Sequence, residues 1–462
     1  MIIILKKMNK KEEIELKHKT RRLSIKEGIF WTFRVSFGDH FISPFAIAIN
    51  SSNVMVALIN TLWNLSSATQ IFGAKLAKTK SRREIVSNAT LVNSLGFLLI
   101  ALIGFLYLKD IWTQFLPALL FIDLFILLSA GGIGHPAWFS LMGDVVDKKF
   151  RGRWYAKRTT ITTFMTIVLT IGASLILEAM KESGKAMLGF IIFFGIAAIS
   201  RFYCSTLLRR HYDPTHKKDK KEINLGKSFR ELGKTNFGKF TLFRGIFAIA
   251  MGISTPLGAI YLLRILQFDY ITYILISLSG MIFSVFTLNF WGKIADKYGN
   301  YAVIALTAAL IPLSPLWWIL STSKIYLFLI PGLIGGTTWY AFTMVSGNFI
   351  YDNTPKEKRP DAISFFNFIV GVGAIIGGLI SAAMIKWLNP SWVEPILLIF
   401  FIGAILRMIV VWIFIPQFRE VQHKQKFKGL KELEHIMFKE TRSTLMEDAT
   451  EIASIKNYIV EK

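Results

Sequence analysis

Gly292-Lys293-Ile294-Ala295-Asp296-Lys297-Tyr298-Gly299 joins two long apolar runs, and a weaker copy, Ala74-Lys75-Leu76-Ala77-Lys78-Thr79-Lys80-Ser81-Arg82-Arg83, sits at the matching place in the first half. Two glycines, two lysines and an aspartate so close together predict a tight, charged turn at a bilayer surface, because neither lysine is tolerated at mid-membrane without a partner. The chain reads as a duplicated membrane protein hinged on short basic loops.

Three further landmarks recur in the same order. Phe33-Arg34 precedes Ile42-Ser43-Pro44 as Phe243-Arg244 precedes Ile253-Ser254-Thr255-Pro256. Gly131-Gly132 and Gly143-Asp144 answer Gly335-Gly336 and Gly347-Asn348, and Lys148-Lys149-Phe150-Arg151 answers Lys356-Glu357-Lys358-Arg359. The offsets are 210, 204 and 208 residues, and 218 for the loop itself. Spacing this even over four landmarks is hard to obtain by chance.

On these residues the chain resembles the Major Facilitator Superfamily, whose loop motif lies between the second and third helices of each half. The resemblance implies parallel six-helix repeats related by an axis along the membrane normal. It also implies that the loop aspartate and its basic neighbours hold the cytoplasmic side shut. Gly292, Asp296, Lys297 and Gly299 match the motif, whereas the first half departs from it. There Lys78, or Ala77 one residue earlier, stands for the aspartate and Ser81 for the final glycine. Asp144 is the candidate for the missing anion, and Arg151 and Arg359 join it at the same surface.

Composition agrees with a membrane protein: 53% of the 462 residues are hydrophobic and mean hydropathy is +0.47. Apolar runs of helical length fall near 28–49, 54–73, 86–108, 116–142, 159–180 and 186–208, then 241–264, 270–291, 301–320, 325–350, 362–385 and 392–415. The expected fold is therefore an all-α integral membrane protein of about twelve transmembrane helices. They form two pseudo-symmetric six-helix bundles, 28–208 and 241–415, joined by a basic linker, 209–240. Tails at 1–27 and 416–462 complete the chain, the latter with an amphipathic face at Leu430, Leu433, Ile436 and Met437.

A formal charge of +24 would suggest nucleic acid in a soluble protein, so its distribution decides the matter. Of 54 Lys and Arg residues, 44 fall in the tails, the linker and every second loop; Lys109, Lys181, Lys185, Lys324 and Lys386 alone fall in the opposite loops. This positive-inside bias places both termini in the cytoplasm and records topology, not a nucleic-acid footprint. The single cysteine, Cys204, excludes an internal disulfide framework. No His, Cys and carboxylate spacing suggests zinc or another metal. Gly226-Lys227-Ser228 lacks the glycine of a phosphate-binding loop five residues earlier, where Lys221 stands, so ATP hydrolysis is unsupported. No nucleophile elbow is evident, and neither an enzyme nor a cofactor is expected.

An ionisable side chain within a span costs roughly 2.5 to 3.5 kcal/mol on insertion scales, so each needs a partner or a task. Asp39 and His40 lie about half-way through the first span, and at the 210 offset their counterparts are Ile249 and Ala250. The fold itself thus does not require polar groups there. Adjacent helical residues point about 100° apart, so only one of the pair is expected to face a central cavity. The bland alternative is that Asp39 merely neutralises Arg34. Arg34 and Arg244 occupy matched sites, structural in one reading and a clamp for an anionic substrate in the other. Asp123 and His135 share the fourth span, and ordinary packing competes there with a proton relay. Trp339, Tyr340 and Asn367 pair an apolar body with a polar tip and are candidates to line the cavity.

The function expected is secondary transport of a small solute across the cell membrane by alternating access, by a monomer, with proton coupling through Asp39 or His40 as a hypothesis. A permease-like sensor or a passive uniporter has the same sequence features.

Overall fold

The computed structural model describes residues 10–147, 151–214, 225–355, 358–388, 390 and 392–422. The amphipathic stretch Leu430 to Met437, the centre of the linker and the loop residues Lys148, Lys149, Phe150, Lys356 and Glu357 lie outside these. Among the described residues every regular element is helical.

The first half contains α1 (Lys10–Phe37), α2 (Ile42–Ala48), α3 (Asn53–Leu62), α4 (Leu65–Ala68), α5 (Gln70–Thr79), α6 (Arg82–Leu108), α7 (Leu116–Val145), α8 (Arg151–Glu182) and α9 (Ala186–Arg209). After α10 (Leu225–Glu231) the second half contains α11 (Asn236–Ser254), α12 (Gly258–Ile260), α13 (Tyr270–Tyr298), α14 (Asn300–Leu310) and α15 (Ser314–Leu320). It ends with α16 (Lys324–Ile330), α17 (Thr337–Asn353), α18 (Arg359–Trp387) and α19 (Pro395–Phe414).

Among the described residues ten stretches are long and apolar enough to cross a membrane, the first beginning at Arg82. The two apolar runs expected before it, 28–49 and 54–73, are helical but broken. Gly38 ends α1 and a 3-10 turn, Asp39–Phe41, leads into α2; α3, α4 and α5 are separated by bends at Trp63 and Thr69. Between the two runs Asn50 takes a left-handed φ of 56°, and the Ser52 hydroxyl caps α3 by accepting from Met55 N at 3.2 Å.

The loop motif differs from its expectation. Gly292 to Tyr298 are not a turn but the last two turns of α13, and the reversal is confined to Gly299, whose φ of 94° only glycine adopts freely. A side chain at Gly299 would also collide with the Glu420 carboxylate, which accepts from Tyr301 N at 2.9 Å. Lys75 and Lys78 likewise sit within α5, and the chain turns only where Ser81 caps α6. Charged residues end such helices without unwinding them because long side chains reach water from the last turn.

Apolar packing differs at the two ends. Near Phe45, Leu257, Tyr261 and Phe400 both halves contribute to one continuous core. At the end bearing the basic segments the cores are separate: Phe240, Phe243, Phe342 and Phe349 in the second half, and smaller clusters around Val86 and Leu141 in the first. Apolar packing is thus shared by the halves at one end, whereas at the other each half keeps its own apolar core.

Candidate solute cavity

One seam runs the full depth between the halves, formed by α3, α4 and α5 against α18. Gly378 lies against Thr61 and Gly371 against the Ala68 backbone, so closely that a Cβ at Gly371 would stand 2.5 Å from Ala68 N. Further along, Asn367 Nδ2 donates to Gln70 Oε1 at 2.7 Å, and at the basic end Lys78 Nζ pairs with Asp361 at 3.1 Å. At the opposite end the Arg264 guanidinium donates to Asn53 and to the Ser51 carbonyl. Asn60 Nδ2 donates to Pro256 O at 2.8 Å, and Tyr270 N donates to Glu178 Oε2 at 2.8 Å.

Beside this seam lies a cavity of about 710 Å³ with walls from both halves. Ser43, Asn60, Trp63, Asn64 and Ser67 come from the first half; Arg244, Met251, Tyr273, Trp339, Thr343 and Asn367 are among those from the second. It extends to Ile350 and Tyr351 in the last turn of α17, at the basic end. A second cavity of about 530 Å³ sits within the first half, and Trp63 and Ser67 belong to the walls of both. It holds Glu27, Arg34, Asp39, His135, Arg158 and Arg201.

The smaller cavity sets three arginines against two carboxylates, and each guanidinium has an ionic or hydrogen-bonding partner. Arg34 pairs with Asp39 at 3.0 Å and lies over Phe97; Arg158 pairs with Glu27 at 3.0 Å and stacks on Trp138. Arg201 bonds Thr90 Oγ1 at 3.1 Å and Asn93 Oδ1 at 3.3 Å, with Glu27 at 3.9 Å. Arg244 differs: it is 6% exposed and its guanidinium lies over Phe342 (4.4 Å), Trp339 (5.7 Å) and Phe366 (5.8 Å).

Of the residues singled out from sequence, Arg34, Asp39 and His135 line the smaller cavity and Arg244, Trp339 and Asn367 the larger. His40 and Tyr340 line neither. Asp123 is buried against α6, where it packs by Gly96. His135 is exposed beside the Phe139 ring.

The surface residues also divide. Asp144 Oδ2 accepts from Arg82 Nη1, a 2.6 Å pair made within the first half. Asp296 borders a small pocket with Asn300, Asp352 and Gln422, and Lys297 lies over the Tyr298 ring. Arg359 donates to the Tyr351 and Thr354 carbonyls, and space is open around Gly292. Arg151 begins α8, and its side chain is outside the described ones.

Sequence reasoning missed Asn60, Trp63, Asn64 and Ser67, although Asn60, Asn64 and Ser67 recur at helical spacing and so signal a polar face. It also missed Arg82, 1% exposed, which pairs with Asp213 at 2.8 Å besides Asp144 and donates to Pro214 O at 3.0 Å.

The sequence profile described as "Major Facilitator Superfamily" matches residues 29–346 and again 242–446. The chain belongs to the Major Facilitator Superfamily. Within that superfamily the chain is a membrane transporter, a multi-pass integral membrane protein in contact with lipid. No curated protein matches it by sequence. Among solved structures it is similar to the nucleoside transporter NupG (13% identity over 87% of this chain and 98% of that one, TM-score 0.60). It is also similar to the POT family transporter PepTSo (13% identity, 89% and 98% coverage, TM-score 0.66) and to a bacterial homologue of the iron transporter ferroportin (13%, 87% and 98%, TM-score 0.60). At these identities the likeness is one of fold.

Proposed function

We propose that the chain is a secondary transporter in which the 710 Å³ cavity holds a small solute and is exposed alternately to the two sides of the membrane. The single observation carrying this reading is a cavity walled by both halves that reaches the basic end, where the apolar cores are separate, while at the other end one apolar core is shared. On this reading the broken segments before Arg82 complete twelve spans, six in residues 28–208 and six in 241–415. Both tails and the 209–240 linker face the cytoplasm, so the cavity reaches toward the inner side beside the Lys78–Asp361 contact. Of the transporters it is similar to, one carries nucleosides, one belongs to the POT family and one is related to an iron transporter, which supports a solute cavity without choosing its occupant.

Proton coupling is the second part of the proposal, and Asp39 is its carrier. Its Arg34 partner holds the carboxylate in place within a cavity wall, and His40 faces elsewhere. The test is counterflow in proteoliposomes with and without a proton gradient, comparing wild type with D39N and H40Q. Binding without counterflow makes the protein a sensor; flux without gradient-driven accumulation makes it a passive uniporter. A pH dependence untouched by D39N removes the coupling role.

A further inference from the structure

The duplicated halves treat their matched arginines differently. Arg34 has its own counterion because Gly38 ends α1 and the 3-10 turn that follows brings Asp39 back to the guanidinium. Around Arg244, α11 continues unbroken from Asn236 to Ser254, and the positions one turn on, Phe247 and Ala248, carry no charge. Every carboxylate of residues 241–415, namely Asp269, Asp296, Asp352, Glu357, Asp361 and Glu394, falls at the end of a span. Among the described residues no ion pair or hydrogen bond reaches the Arg244 guanidinium, and its Nε is buried without a partner.

A guanidinium nine-tenths buried, with ring faces on one side and the cavity on the other, is under-compensated, since such faces offset part of the desolvation of a cation and leave its N–H donors unused. Several other polar side chains of the cavity are satisfied locally. Ser43 donates to Asn60 Oδ1 at 2.6 Å, Thr343 to Trp339 O at 2.9 Å, Ser346 to Phe342 O at 2.6 Å, and Asn367 to Gln70 at 2.7 Å. What the cavity lacks is one negative charge.

We propose that Arg244 anchors a binding site for a singly charged organic anion, a carboxylate on an apolar or aromatic body. This rests on the larger cavity being the solute chamber. One uncompensated cation matches a monoanion; a phosphate dianion would leave a net negative charge in a low-dielectric wall. The fork of N–H donors suits the two carboxylate oxygens, and Phe247, Met251, Trp339 and Phe366 supply the surface for the body. Arg34, already paired, takes no part.

The test uses the full-length protein in lipid nanodiscs, followed by thermal unfolding with benzoate, indole-3-acetate, the neutral benzamide, or phenyl phosphate. The two carboxylates are expected to raise the melting midpoint of the wild type at millimolar concentration and benzamide is not. R244Q weakens the carboxylate response at least ~10-fold, and R244K leaves it intermediate. Should R244Q not fold, T343E reads the same question, because it tethers a competing carboxylate inside the cavity at an exposed position and so suppresses the benzoate response. The proposal is overturned if neither carboxylate stabilises the wild type, if benzamide does as well as benzoate, or if R244Q or T343E leaves the benzoate response intact. Phenyl phosphate outperforming benzoate overturns the single-charge assignment. Counterflow separates the two readings. Carboxylate binding with no flux removes transport and keeps the anion site; flux of a neutral solute unaffected by R244Q does the reverse.

Discussion

Lys78 on α5 and Asp361 on α18 meet across the seam between the halves, Nζ to Oδ1 at 3.1 Å. The position where the first-half loop departs from the family motif, a lysine in place of an aspartate, is therefore occupied by a cation whose anion comes from the other half. Both side chains are partly exposed, so the pair contributes under about 1 kcal/mol to stability, and its value lies in holding two surfaces together. K78D or D361K alone sets like charges at the seam. Spin labels on cysteines introduced at Lys75 and Lys358 should report a broader, longer distance distribution in either single variant. The K78D/D361K double variant should return it toward wild type; no recovery would show the pair to be incidental.

Gly371 tests the seam at mid-depth. Its missing Cβ leaves room for the Ala68 backbone, which cannot move aside as a flexible side chain can. Gly371→Ala should push α18 from α4 and lower stability by about 1 to 3 kcal/mol, read as a fall in melting temperature. An unchanged melt with unchanged solute binding would mean that the close approach is dispensable.

Arg82 is the hub of the first half at the basic end. Its guanidinium serves Asp213, Asp144, Ser140 and the Pro214 carbonyl, tying α6 to α7 and to the segment after α9. Arg82→Gln should cost roughly 2 to 3 kcal/mol, below the usual figure for a buried pair because Asp144 is half exposed. Lysine should not rescue it, since one ammonium cannot span partners held by a planar fork. A thermal melt of R82K equal to wild type would refute this.

His211 gives a pH dependence. It lies just beyond α9, 1% exposed, with neither ring nitrogen bonded among the described residues. Burial, helped by nearby Arg158, lowers its pKa from 6.5 to about 4. The unfolded chain then binds the proton more readily than the folded one. The stabilising effect of keeping the ring neutral is complete above pH 6.5 and is lost as pH falls toward 4, on the order of 2 kcal/mol between pH 7.5 and 5. His211→Gln should flatten the pH dependence of the melting temperature over this window. A slope equal to wild type would assign it to other groups.

Much of the architecture was legible because bilayers impose long apolar runs and sorted charges. The ten helices that begin at Arg82 and end at Gln417 follow the hydropathy pattern, and the basic segments gather at one end of them. The interruptions were not legible. Gly38 and the 3-10 turn at Asp39–Phe41 leave no composition signal distinct from a continuous helix, yet they decide that Asp39 reaches Arg34. The loop motif was misjudged in conformation, since charges compatible with a turn are equally compatible with a helix end. Cavity walls were half legible: Trp339 and Asn367 line one, whereas Tyr340, one residue on, points away, because helix rotation is set by packing against neighbours. The Arg82 hub joins Asp213, 131 residues away, a pairing that no local pattern encodes.

Trp63 and Ser67 stand in both cavity walls, so the two hollows share one partition. An occupant leaning on the indole from the second-half side presses on the chamber that contains Asp39 and Arg34. On the proposed function the ring would act as a diaphragm, through which a solute in the larger compartment reaches the Arg34–Asp39 pair without touching it.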